Sequence, residues 1–208
     1  MELTVPQVAV FVDIDAQLVR RALRDGYLAA VRQVGNTTVV DDIAAIAWSR
    51  AVARGRTWAP RVREAALDLL SGTKDDELGY DERSRLRARL RTMTAARLAH
   101  AAGGLGGTWS RYTAKETDLG EPIGPDAADV TKLGIVPGNT DISFVRVDDL
   151  DDLELRHDVT LDANGNLCVV ERPADKRIAR ILLDTYLLGT RRESAAAAAE
   201  LERLCHAA

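Results

Sequence analysis

The chain has little of several things that would define its chemistry at once. Of its 208 residues only two, Cys168 and Cys205, are cysteine. That excludes a disulfide framework and any Cys-x-x-Cys metal motif, and it suits a reducing compartment. Three histidines, His100, His157 and His206, show no ligand spacing to one another or to nearby carboxylates, so neither a metal nor any other cofactor is expected. Aromatics are 4% of the chain, and an aliphatic core is therefore expected. No apolar run reaches the roughly 18 residues that would span a bilayer. The N-terminus runs directly into a helical pattern without a signal peptide, and a soluble, cytoplasmic protein with no membrane partner is expected. No phosphate loop and no Ser, His and Asp order for nucleophilic catalysis is legible either, so an enzyme is not expected.

What is present is a compact pattern at the start. Thr4 suits an N-cap and Pro6 the first turn of a helix over residues 5–11, because the missing proline N–H is unpaired there in any case. After a break at Val12, Asp13 and Ile14, Asp15 caps a second helix with Val19, Ala22 and Leu23 as its apolar side, and Gly26 ends it. Gln17, Arg20, Arg21 and Arg24 project from the remaining surface. The stretch AAVRQVGNTTVV is β-branched on both sides of Gly35 and Asn36 and predicts a hairpin, with Arg32 near its tip. Asp41 and Asp42 then open a third helix, from Ile43 to about residue 52, with Ile43, Ile46 and Ala47 on its apolar face and Trp48 beside them.

The order helix, turn, helix, hairpin, helix over residues 3–53, carried by VRRALRDGYL and DDIAAI, resembles the winged helix-turn-helix of the MerR and phage-excisionase superfamily. The resemblance implies that the second helix enters the major groove and the wing touches the flanking backbone. On this chain it places Gln17 and Arg21 at bases, Arg20 and Arg24 at bases or phosphates, and Arg32 at a phosphate, with Asn36 beside it in the wing. Leu18 departs from the pattern, in which a polar residue is usual. In RGRTWAP, Arg54 and Arg56 read either as a linker or as an arm tracking phosphates. Double-stranded DNA is the expected partner. An inverted-repeat operator would call for a homodimer.

The formal charge of -4 divides unevenly. Residues 1–100 hold 16 Lys and Arg against 13 Asp and Glu, whereas residues 101–208 hold 12 against 19. The basic excess thus falls in the part that carries the DNA-binding pattern.

Further along, residues 61–71 are helical in pattern, with Val62, Ala65, Ala66, Leu69 and Leu70 in one stripe. Residues 81–102 read as one long helix buried on Leu86, Leu90, Met93 and Leu98, with its alternating arginines wrapped around the cylinder as a salt-bridged solvent face. The cluster Gly103, Gly104, Gly106 and Gly107 reads as a hinge. Residues 117–141 are expected to be loops with one short helix near 126–133. Strands are expected over residues 142–147 and 167–171, around a short acidic helix. Its carboxylates Asp148, Asp149, Asp151, Asp152 and Glu154 suit a helix N-terminus, and also a basic protein partner. Two helices close the chain, the first buried on Ile178, Ile181, Leu182 and Leu188, the second alanine-rich and able to pack internally or against another chain.

The fold class expected is α+β, mostly helical, in three parts: residues 1–55, a helical connector over 56–102, and a small α/β domain over 103–208. The stretches RTWAPRVREAALDLLSG, LGYDERSRLRARLR, LDANGNLCVVE and ARILLDTYLLGTRRESAAAAAELERL resemble actinobacterial antitoxins of AbiE-type toxin-antitoxin pairs. That resemblance implies a repressor of its own operon whose C-terminal part neutralises a cognate nucleotidyltransferase toxin. The alternatives are a stand-alone regulator with a ligand-sensing or dimerising C-terminal half, and, from another class, a nucleotide-dependent enzyme.

Overall fold

The computed structural model describes residues 1–28, 32–53, 55–73, 78–138 and 141–208, and the backbone alone of Arg32. The fold is α+β, with two sheets. The first begins with a short strand that the pattern did not predict, β1 (Glu2–Thr4), and continues into α1 (Val5–Phe11). The Gln7 side chain accepts from the Thr4 N–H at 2.8 Å, the returning half of a capping box. Asp13 turns the chain with φ of 54°, a conformation Asp tolerates better than most residues. Asp15 then accepts from the Gln17 N–H at 2.7 Å and opens α2 (Ala16–Arg24). Val19 and Ala22 are buried, and Gly26, at φ of 75°, releases the chain.

The hairpin forms from β2 (Arg32–Val34) and β3 (Thr37–Asp41), with Val34 opposite Thr37 and Gly35 supplying the positive φ that a two-residue turn requires. β3 also pairs with β1, so the sheet order is β1-β3-β2. Asp41 caps α3 (Asp42–Arg50), accepting from the Ile43 and Ala44 N–H groups at 2.9 and 3.2 Å. The buried face of α3 differs in part from the expected one: Ala47 is enclosed as expected and Ile43 is half-buried against the core, but Ala44 and Ala45 are enclosed as well and Ile46 is only half-buried. Small residues fill this face because α3 packs directly against a later helix, and alanine permits the closest approach.

Three helices follow: α4 (Pro60–Ser71), α5 (Tyr80–Leu90) and α6 (Ala95–Ala101). The single helix expected over 81–102 is two, because the Thr94 hydroxyl caps a new start by accepting from the Arg97 N–H at 3.4 Å. Leu86, Leu90, Met93 and Leu98 are buried as their spacing predicts.

The second sheet has the order β5-β6-β8-β4-β7, from β4 (Thr108–Ala114), β5 (Glu121–Pro122), β6 (Ser143–Val147), β7 (Val159–Leu161) and β8 (Leu167–Glu171). β6 and β8 run parallel and the other neighbours antiparallel. Central β8 is buried on both faces, Leu167 and Val169 on one and Cys168 and Val170 on the other, the alternation a strand imposes. α7 (Leu150–Arg156) covers the first face through Leu153, and α8 (Ile178–Leu188) belongs to the second. Residues 124–126 and 131–133 are short 3-10 turns in place of the one expected helix.

Leu182, Leu183 and Leu187 bury α8 nearly all round, although Ile178, expected inside, is exposed at the helix start. α9 (Arg191–Ala207) packs against α8 along Ser194, Ala197, Leu201 and Cys205, one stripe at helical spacing. One continuous buried cluster takes in Val8 and Val19, Leu90 and Leu98, Val170, Leu182 and Leu201. At one seam of it the Arg50 guanidinium donates to the carbonyls of Tyr186, Leu187 and Gly189 at 3.1, 2.7 and 2.8 Å, so a cation closes the C-terminus of α8.

Candidate nucleic-acid interface

α2 divides its circumference cleanly. Gln17, Arg20, Arg21 and Arg24 fall at i, i+3, i+4 and i+7, which places them on one stripe opposite buried Val19 and Ala22. All four are exposed. The Asp25 carboxylate accepts from Arg21 at 3.3 Å and Arg24 at 3.2 Å. These contacts lie at the surface, where an ion pair contributes about 0–1 kcal/mol, so the arginines stay available to a stronger anion. Leu18, on the flank of the stripe, is 40% exposed.

β2 and β3 of the first sheet form the hairpin, with Asn36 exposed at its turn. The backbone of Arg32 stands in β2 opposite Val39; its side chain and the whole of Arg54 lie outside the described residues. Arg56 is exposed beside Gly55, whose carbonyl lies 3.0 Å from His100 Nε2.

The acidic group at α7 is arranged differently, because most of its carboxylates already have partners. Asp149 caps the helix, accepting from the Asp151 and Asp152 N–H groups at 2.8 and 3.2 Å. Asp148 pairs with Arg146 at 2.6 Å and Asp152 with Arg156 at 2.7 Å. Glu154 accepts from the Tyr112 hydroxyl at 2.8 Å, and burial together with that carboxylate pushes the Tyr112 phenol up to about 12. Asp151 is exposed in the first turn.

Several polar residues that sequence patterning does not single out hold the structure together. Arg111 of β4 donates to Asp41 at 3.2 Å, to Asp42 at 3.0 Å and to the Gly165 carbonyl at 2.8 Å, tying the two sheets together. Asp41 is fully buried, and burial outweighs Arg111 in holding its carboxyl above the ordinary range. Arg172 and Arg180 share the buried Asp184, and both also donate to the Leu105 carbonyl in the glycine turn. An arginine inside a strand, just past one or inside an apolar helix was the available signal, but nothing in spacing alone links Arg111 to a carboxylate 70 residues away.

Cys168 and Cys205 are free and buried. Burial pushes the Cys205 thiol up to about 11 and Cys168 higher still, so neither is a nucleophile at neutral pH. Among the described residues no three His, Cys, Asp or Glu side chains are grouped so as to hold a metal ion, and no helix is long and apolar enough to cross a membrane. Comparison with protein-family models, curated proteins and solved structures finds no significant match.

Proposed function

We propose that this protein binds double-stranded DNA as a transcription regulator, with α1, α2 and the β2–β3 hairpin acting as a winged helix-turn-helix. The observation that carries this reading is the stripe Gln17, Arg20, Arg21 and Arg24, exposed along one face of a capped helix whose other face is anchored in the core. A helix so mounted can enter a major groove with its long cations outward, while an adjacent hairpin reaches the backbone. Gln17 and Arg21 then contact base edges, Arg20 and Arg24 bases or phosphates, and Arg32, Asn36, Arg54 and Arg56 the flanking phosphates.

The resemblance to AbiE-type antitoxins extends this to a repressor of its own operon that also neutralises a nucleotidyltransferase toxin. The charge division supports that extension, since residues 101–208 carry 12 Lys and Arg against 19 Asp and Glu and would suit an enzyme with a basic cleft. A mobility-shift titration with the DNA upstream of the gene, against scrambled DNA and at two salt concentrations, tests the first part. Binding that is indifferent to sequence at both salts would remove the regulator. The second part requires a nucleotidyltransferase gene beside this one and is tested by co-expression with it, through rescue of growth.

A further inference from the structure

The flank of α2 between the arginine stripe and the core does not rest on packed protein. Leu18, Arg21, Ala22 and Asp25 form one wall of an open cavity of about 640 Å³. Trp48 of α3 and Trp109 of β4 contribute aromatic surface, and Tyr27 and His100, with ring centroids 5.9 Å apart, line it as well. The facing wall is the glycine turn, in which Gly103, Gly104, Gly106 and Gly107 have φ of 86, 66, 64 and 75°. That turn is braced from behind, because the Leu105 carbonyl accepts from Arg172 at 2.6 Å and from Arg180, and both guanidinium groups are fixed by Asp184.

The space is open to solvent, and tryptophan and leucine side chains give it an apolar lining. It falls in the size range of small-molecule sites, about 300–1,000 Å³. Its composition specifies the occupant. Aromatic rings favour a flat ligand, which stacks or meets them edge to face. Besides His100, the charged groups lining it among the described residues are Arg21, Arg56 and Asp25, an excess of one positive charge.

We propose that this cavity binds a planar aromatic ligand carrying one negative charge, and that the bound ligand withdraws Arg21 from DNA. Arg21 belongs to both surfaces: it stands in the stripe that faces outward and at the edge of the cavity wall. A ligand carboxylate or sulfonate that pairs with Arg21 competes with its base contact, so ligand and DNA oppose each other by the same factor in both directions. This control rests on the DNA-binding reading; the ligand site does not.

The test uses the full chain and two fluorescent probes of similar shape, the monoanion 8-anilinonaphthalene-1-sulfonate and the uncharged N-phenyl-1-naphthylamine. The sulfonate is expected to saturate at one per chain. Arg21→Glu, a change at an exposed side chain, should weaken it roughly fivefold, the scale of an exposed ion pair, and leave the neutral probe within about twofold. Leu105→Trp should narrow the cavity and weaken binding of both while the thermal transition persists. Saturating sulfonate should weaken the upstream DNA complex, and that DNA should weaken the sulfonate equally. Non-saturable binding, indifference of the sulfonate to Arg21→Glu, or unchanged affinity for both probes in a folded Leu105→Trp protein overturns the site. Saturable probe binding with unchanged DNA affinity overturns the control. If no DNA is bound at all, the regulator fails and the control with it, while the probe titrations alone still decide the site.

Discussion

The arginines of α2 and those around the second sheet are the same residue put to opposite uses. Arg20, Arg21 and Arg24 stand in solvent with at most a surface carboxylate beside them. Arg111, Arg172 and Arg180 are enclosed and bonded to buried carboxylates and carbonyls. A buried cation must be matched group by group, since leaving its partner unpaired costs far more than the pair contributes; an exposed one stays free to meet a phosphate or a base. The contrast teaches that arginine content by itself says little about DNA, and that burial decides.

The contrast breaks most readily at Asp184. Asp184→Ala leaves Arg172 and Arg180 without their shared carboxylate and is expected to cost about 3–5 kcal/mol of stability in a denaturant titration, whereas Arg20→Ala or Arg24→Ala should stay within about 0.5 kcal/mol. An Asp184→Ala protein as stable as the parent would erase the distinction. Arg111→Ala comes next, at about 3 kcal/mol, because Asp41 keeps its two backbone donors in α3 when the guanidinium is gone. Adding Asp41→Asn should recover part of that loss, and a double-mutant cycle measures how much.

On the exposed side the comparison is sharpened with DNA. On the DNA-binding reading proposed above, Arg21→Ala should cost about 1–3 kcal/mol on the upstream DNA and much less on scrambled DNA, whereas Arg32→Ala should weaken all sequences alike. Equal operator binding by Arg21→Ala and the parent would remove Arg21 from the bases.

Tyr112 offers a pH test of the enclosed side. Its pKa in the folded chain is raised to about 12 from an ordinary 10.0, so its contribution is complete below about pH 10 and is lost as the pH climbs toward 12. Tyr112→Phe should cost about 1 kcal/mol at neutral pH and flatten that alkaline decline in unfolding titrations. Smallest of all, Asp151→Asn should change stability in a denaturant titration by less than about 0.5 kcal/mol, because the side chain is exposed.

Much of the first 50 residues was legible because their determinants are local. Thr4, Asp15, Gly26, Gly35 and Asp41 act within one turn of where they stand, and the apolar spacing of Val19 and Ala22 fixes which side of α2 is left for the arginines. β1 escaped notice because three residues carry no readable alternation, and its pairing with β3 is set by a strand 35 residues away. Thr94 was hidden inside a continuous apolar pattern, so two helices read as one.

By itself, then, the order of residues determined α1, α2, the hairpin and α3, their caps and the polar stripe of α2, since all of these depend on neighbours within about four positions. Only the tertiary structure decided that Ala44 and Ala45 join Ala47 inside α3's buried face while Ile46 stays half-buried, that the acidic helix spends most of its carboxylates on its own chain, and that two tryptophans and a glycine turn line an open cavity beside Arg21. The reason is physical: burial and charge pairing depend on which segments meet in space, and residues far apart in the chain make those meetings.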